Sequence, residues 1–175
     1  RAPRQVDGIA QVRRFLTQPG QVVNGVLDHP FVDFSGETEA FGGEQVTVSW
    51  YLYTRGMIRD LDTLKYPSLR GFWKEDIEIA THLNFVDEVV NGLPYKKALL
   101  ASFALFPIKE GSATIDPYQA KCTVIPSIDA MGGLALGKPY TFTKASQPIK
   151  VNVKPLPTEG RPSDFSGAVG DFQVT

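Results

Sequence analysis

Between about residues 21 and 153 the chain repeats one pattern, in which apolar and polar residues alternate over short runs closed by turn signals. The clearest run is Glu44–Thr54, EQVTVSWYLYT. There Val46, Val48, Trp50 and Leu52 share one side, and Thr47, Ser49, Tyr51 and Tyr53 share the other. A period of two is the geometry of a half-buried strand, and it cannot be laid along one face of a helix. β-branched and aromatic residues fill both sides, as strands prefer. Gly42-Gly43 just before the run supplies the turn that starts it. A chain written this way must build sheets.

Further runs follow. Asn91-Gly92 sits between His82–Val90 and Tyr95–Phe106, and this dipeptide favours the positive φ angles of a type I′ hairpin. In the second arm Leu99, Ala101, Phe103 and Leu105 share a face, and Pro107, which has no N–H for a ladder, is expected to end it. Ser112–Asp116 and Tyr118–Ile125 form the next pair, entered through Glu110-Gly111. In the second of these Tyr118, Ala120, Cys122 and Val124 oppose Gln119, Lys121 and Thr123. Gln147–Lys154 closes the set, with Ile149, Val151 and Val153 on one side. Met57–Leu69 has a mixed pattern and Pro67, and reads as a long loop. About seven or eight strands at this spacing predict an all-β fold, an antiparallel immunoglobulin-like β-sandwich. With a single cysteine, Cys122, the likeness is one of architecture without the disulfide of antibody domains.

Both ends depart from the pattern. In residues 1–20, Val6, Ile9, Val12 and Leu16 recur at near-helical spacing before Pro19-Gly20 stops them, which predicts a short N-terminal helical segment or linker. Arg1, Arg4, Arg13 and Arg14 make it basic. Residues 154–175 are rich in proline and glycine and have no strand periodicity until a short close. They predict an extended C-terminal linker leading into the first strand of a following domain, with Phe165, Val169, Phe172 and Val174 as its docking residues. The chain starts at Arg1 with neither a methionine nor a signal peptide, and it stops within a strand-like run. An excised piece of a larger protein is expected, with the sandwich at 21–153.

Chemistry is harder to find. Eighteen basic and nineteen acidic residues give a net charge of −1, against the basic surplus of nucleic-acid binders. The longest apolar run, Ala98–Phe106, is far short of the roughly 20 residues of a membrane helix. One cysteine permits neither an internal disulfide nor a cysteine-rich zinc site. Gly132–Lys138 matches the first seven positions of a phosphate-binding loop, but Pro139 stands where a magnesium-holding Ser or Thr belongs. A glycine-rich hairpin is the better reading. Asp28, His29 and Asp33 lie close in sequence without the regular spacing of oxygen ligands, which favours a turn. His82 heads a predicted strand, and no serine sits in a nucleophile elbow. Cys122 falls on the apolar side of its strand, where a thiol is an inert small hydrophobe. The carboxylates Asp60/Asp62, Glu75/Asp76/Glu78 and Asp87/Glu88 fit exposed strand faces and loop edges. No catalytic residue, metal ligand or cofactor is therefore expected. The candidate interaction surface is Phe72 and Trp73 with Tyr66, aromatics placed in a loop after a long connection.

Several segments, taken in order, resemble the BatD (Bacteroides aerotolerance, or oxygen tolerance) family. These are Gly43–Val48 with Tyr51–Thr54, then Gly71-Phe72-Trp73, then Ala98–Pro107 with Gly111 and Thr114–Pro117, and finally the tail from Pro155 to Gly170. The resemblance covers about residues 40–175 and implies a middle-domain fragment plus the following linker. It implies tandem immunoglobulin-like domains on the periplasmic side of a bacterial inner membrane, within a membrane-anchored protein. It also implies a non-catalytic scaffold acting with von Willebrand A-domain Bat proteins and a MoxR-type ATPase in stress or oxygen tolerance. Two other functions suit a sandwich. One is carbohydrate or envelope-polymer binding on Trp73, Tyr51, Tyr53 and Tyr66, and the other is a hydrolase with a site near His82.

Overall fold

The computed structural model describes residues 31–90, 92–125, 127–128, 134–135 and 138–158. The expected helical segment at 1–20, the Asp28-His29 pair and the docking residues Phe165, Val169, Phe172 and Val174 lie outside these. Among the described residues there are thirteen strands and no helix, so no described helix crosses a membrane.

The strands are β1 (Phe31–Gly36), β2 (Glu39–Phe41), β3 (Val46–Thr54), β4 (Met57–Lys65), β5 (Phe72–Ile79), β6 (Phe85–Val90) and β7 (Leu93–Pro107). They continue with β8 (Gly111–Ile115), β9 (Gln119–Ile125), β10 (Ser127–Ile128), β11 (Leu134–Ala135), β12 (Tyr140–Ala145) and β13 (Ile149–Lys154). One layer runs β1-β3-β7-β5, with β6 pairing the other half of the long β7 on the same edge as β5. The second layer comes in two pieces, β12-β9-β4 and β2-β13-β8. These pieces join end to end, because β8 and β9 are consecutive, as are β12 and β13.

Pro117 and Pro148 lie in the short breaks between those consecutive strands, where an absent N–H costs no ladder bond. Ser146 ties the two breaks together. Its N–H donates to the Tyr118 carbonyl at 2.9 Å, and its hydroxyl accepts from the Tyr118 N–H at 3.0 Å.

The layers meet on the residues that alternation singled out. Val46, Val48, Trp50 and Leu52 of β3 have no exposed surface, and Ala120, Cys122 and Val124 of β9 with Ile149, Val151 and Val153 of β13 are at most 2% exposed. Trp50 packs edge-on against Phe103 with ring centres 5.7 Å apart, and Tyr118 reaches it from the opposite layer at 6.2 Å. The result is an all-β, sandwich-like body with one main core between its layers.

Four details differ from the sequence reading. Met57–Lys65 is a strand, not a loop. Its apolar residues fall out of phase because the β4–β9 register slips between Ile58 and Asp60 and again between Thr63 and Lys65. Each bulge inserts a residue and flips the alternation. Trp73 lies in edge strand β5, not in a loop. β13 pairs with β2 in parallel, so the sheets are not wholly antiparallel. Pro107 does end β7, but it remains paired with Phe72. The Asn91-Gly92 turn is supported by Gly92, whose φ is +79°, with Val90 opposite Leu93 across the two-residue loop. The phosphate-loop-like run contains β11, antiparallel to β10, and β12 follows it where such a loop would lead into a helix.

Candidate functional site

β4 and β5 are both edge strands, each paired on one side only, and between them the sandwich stays open. A cleft of about 390 Å³ lies there. Ile58, Arg59, Asp60, Leu61 and Thr63 of β4 form one wall, and Ala80–Leu83 of the β5–β6 connection with Phe85 of β6 form the other. Leu100 and Tyr118, both nearly fully buried, close its inner end. Leu100 is there because of another bulge: Trp50 pairs with Ala101 and Tyr51 with Leu99, leaving Leu100 as the extra residue. The Tyr118 hydroxyl shares a 2.5 Å hydrogen bond with that of Thr63. Burial pushes the Tyr118 hydroxyl above its ordinary pKa, with the Thr63 bond pulling the other way.

Exposed apolar side chains lie along β5, at the start of β6 and beside Tyr118, and of these Phe85 lines the cleft. Trp73 is 65% exposed, Ile77 53%, Tyr66 47%, Ile79 43% and Phe85 37%. Tyr66 stands edge-on to Tyr118 at 5.6 Å, so it is both a surface group and a flank of the cleft. Phe72, expected beside Trp73 as a contact, turns into the core and is only 8% exposed. Alternation sends neighbours on a strand to opposite faces, so the two aromatics cannot serve one surface.

Beyond Phe72, every residue of β5 is exposed. Its inward side is closed by charge. The Lys74 ammonium lies 4.9 Å from the Phe103 ring centre and 2.6 Å from the Asp76 carboxylate. Ile108 donates its N–H to the Gly71 carbonyl and Ala80 donates to the Leu100 carbonyl, which sets the direction of the β5 backbone. The register slips between Asp76 and Glu78. Before that bulge, alternation turns the N–H and C=O groups of Lys74 and Asp76 away from β7, onto a free edge.

The other candidates separate in space. His82 is exposed in the β5–β6 connection rather than in a strand, and its Nδ1 lies 3.2 Å from the Thr81 hydroxyl. Asp60 lines the same cleft, yet among the described residues no hydrogen bond or ion pair joins it to His82. Cys122 is fully buried, and burial pushes its thiol up to about 11. Among the described residues no group of three or more His, Cys, Asp or Glu is placed to hold a metal ion.

The four aromatics of a sugar platform are also dispersed. Tyr51 and Tyr53 lie under the Lys97 ammonium at 4.3 and 5.7 Å, and Tyr53 is buried with Tyr95 and Val90 in a small second cluster. Trp73 pairs with Phe106 while Tyr51 and Tyr53 pair with Leu99 and Lys97. At about 3.3 Å per residue along β7 that is more than 20 Å apart.

Ile77, Ile79, Phe85 and Leu61 escaped the sequence reading. Their signal was faint: isolated apolar residues in acidic surroundings, out of phase with their neighbours. No protein-family model matches this chain, and no match was found among curated proteins or among solved structures.

Proposed function

We propose that this chain is a non-catalytic protein-interaction module, an immunoglobulin-like sandwich that binds its partner along the β4–β5 side. The order β1-β3-β7-β5 facing β4, then β9 with β8, then β12 with β13 supports the immunoglobulin-like reading, since four strands oppose three in the arrangement of that fold. One observation carries the functional part: an edge strand with free backbone groups that exposes a tryptophan and leads to a cleft with an apolar inner end. Monomeric surfaces seldom leave such a combination without use.

The ordered resemblance to BatD segments supports placing the module in a membrane-anchored scaffold on the periplasmic side of a bacterial inner membrane. There its partners are von Willebrand A-domain Bat proteins, working with a MoxR-type ATPase in stress or oxygen tolerance. No cofactor or small-molecule ligand enters this reading. The isolation of His82 and the burial of Cys122 weigh against the hydrolase alternative, and the dispersal of the aromatics weighs against polymer binding.

The test is binding of the chain to purified von Willebrand A-domain partners. Saturable binding is expected, with Trp73→Ala weakening it about tenfold or more, as truncating an aromatic anchor does. Absence of binding by the whole periplasmic region would overturn the reading.

A further inference from the structure

We infer that the β5 edge and the adjoining cleft accept an extended, basic-flanked segment of a partner protein as an added strand, one apolar side chain of which fills the cleft. This rests on the interaction-module reading and specifies its mode of recognition. Three observations carry it.

The free backbone groups of Lys74 and Asp76 are what an added strand needs, because main-chain hydrogen bonds supply affinity in strand addition and side-chain pockets supply selectivity. The cleft beside this edge is apolar at its inner end, with Leu100 and Tyr118, and about 390 Å³ in volume, room for a large apolar side chain. The charge is one-sided: β4 and β5 together hold Asp60, Asp62, Glu75, Asp76 and Glu78 against Arg59, Lys65 and Lys74. Lys74 and Asp76 pair with each other, which leaves four carboxylates against two cations. Lysine or arginine flanking the incoming segment meets a complementary field.

The same charge argues against a second copy of this chain as the occupant. Pairing β5 with itself would set its acidic residues against one another, and like charges directly opposite destabilise a strand pair. The bulge between Asp76 and Glu78 and the inward-turned Lys74 also blunt self-pairing.

The test uses the 175-residue chain, isotope-labelled, titrated with synthetic octapeptides of alternating Val and Phe. One peptide is flanked by lysines, one by glutamates, and a third is the lysine peptide N-methylated at alternate amides. The lysine peptide should shift the amide resonances of β5 and of residues 80–83 and bind about tenfold tighter than the glutamate peptide, a preference that shrinks with added salt. N-methylation should abolish binding. So should Asp76→Pro, which removes a free-edge N–H while sparing the β7 ladder.

Should Asp76→Pro perturb the fold, seen as altered amide dispersion, the double variant Asp60→Lys/Glu78→Lys serves instead and should reverse the peptide preference. Equal affinity for both charge types, binding that survives N-methylation, shifts confined to other faces, concentration-dependent dimerisation through β5, or no binding at all would each overturn the inference. If the Asp76→Pro chain still binds a protein partner as tightly as the parent, strand addition falls and the interaction-module reading stands.

Discussion

The two tryptophans show how far a single residue's role can be read from its neighbours. Trp50 sits mid-run in an unbroken alternation and lies fully buried, its indole N–H without a hydrogen-bond partner among the described residues. Trp73 follows Gly71-Phe72 and precedes charges, and nothing local says which way it points. Trp50→Ala should cost about 3–5 kcal/mol in urea unfolding, because a large cavity opens in the core. Trp73→Ala should stay within about 0.5 kcal/mol, as at exposed sites. Cys122 was legible for the same reason as Trp50, and its burial has a consequence for pH. Its thiol is raised from an ordinary value of 9.0 to about 11. The folded chain therefore holds this proton more tightly than the unfolded chain. The associated stability is present below pH 9 and is lost as the pH rises through about 11, amounting to about 2–3 kcal/mol. Comparing the pH 8 and pH 11 stabilities of the parent and Cys122→Val isolates this loss from that of the buried tyrosines, and the variant should decline less.

At the level of elements, β3, β9 and β13 were legible from a clean period of two, and β6, β7 and β8 from the turn signals beside them. β4 and β5 were hidden by bulges, each of which shifts the alternation by one residue, so that Ile58, Leu61 and Leu64 look almost helical in spacing. A bulge is set by what the partner strand offers, and the partner lies far away in sequence. The Pro117 and Pro148 breaks are another device of this kind. Ser146 bridges them with its hydroxyl and its N–H. Ser146→Ala should cost about 1–3 kcal/mol, since it leaves the buried Tyr118 N–H without its acceptor. Thermal unfolding would show the loss, and Ser146→Thr should recover part of it. The corner between β3 and β4 has a similar cause. A Cβ at Gly56 would come within 2.6 Å of the Val124 side chain, so glycine permits the chain to cross between layers there.

For the whole molecule, the decisive quantity is which edges are left open. β5 carries an inward lysine over Phe103, a device that keeps an edge strand from recruiting copies of itself. Lys74→Val should therefore promote concentration-dependent association in sedimentation velocity while leaving the monomer folded, and an unchanged monomer at high concentration would contradict this. Alternation in the sequence by itself determined that the described residues are all-β, which side of β3, β9 and β13 faces inward, and that Cys122 is a packing residue. A period of two is a local property, and burying one face requires nothing else to be known. Only the tertiary structure decided that β4 and Trp73 belong to edge strands, that Phe72 turns away from Trp73, and that Leu83, Phe85 and Leu100 surround a cleft. Those outcomes depend on register between strands tens of residues apart, where one inserted residue reverses every side chain that follows.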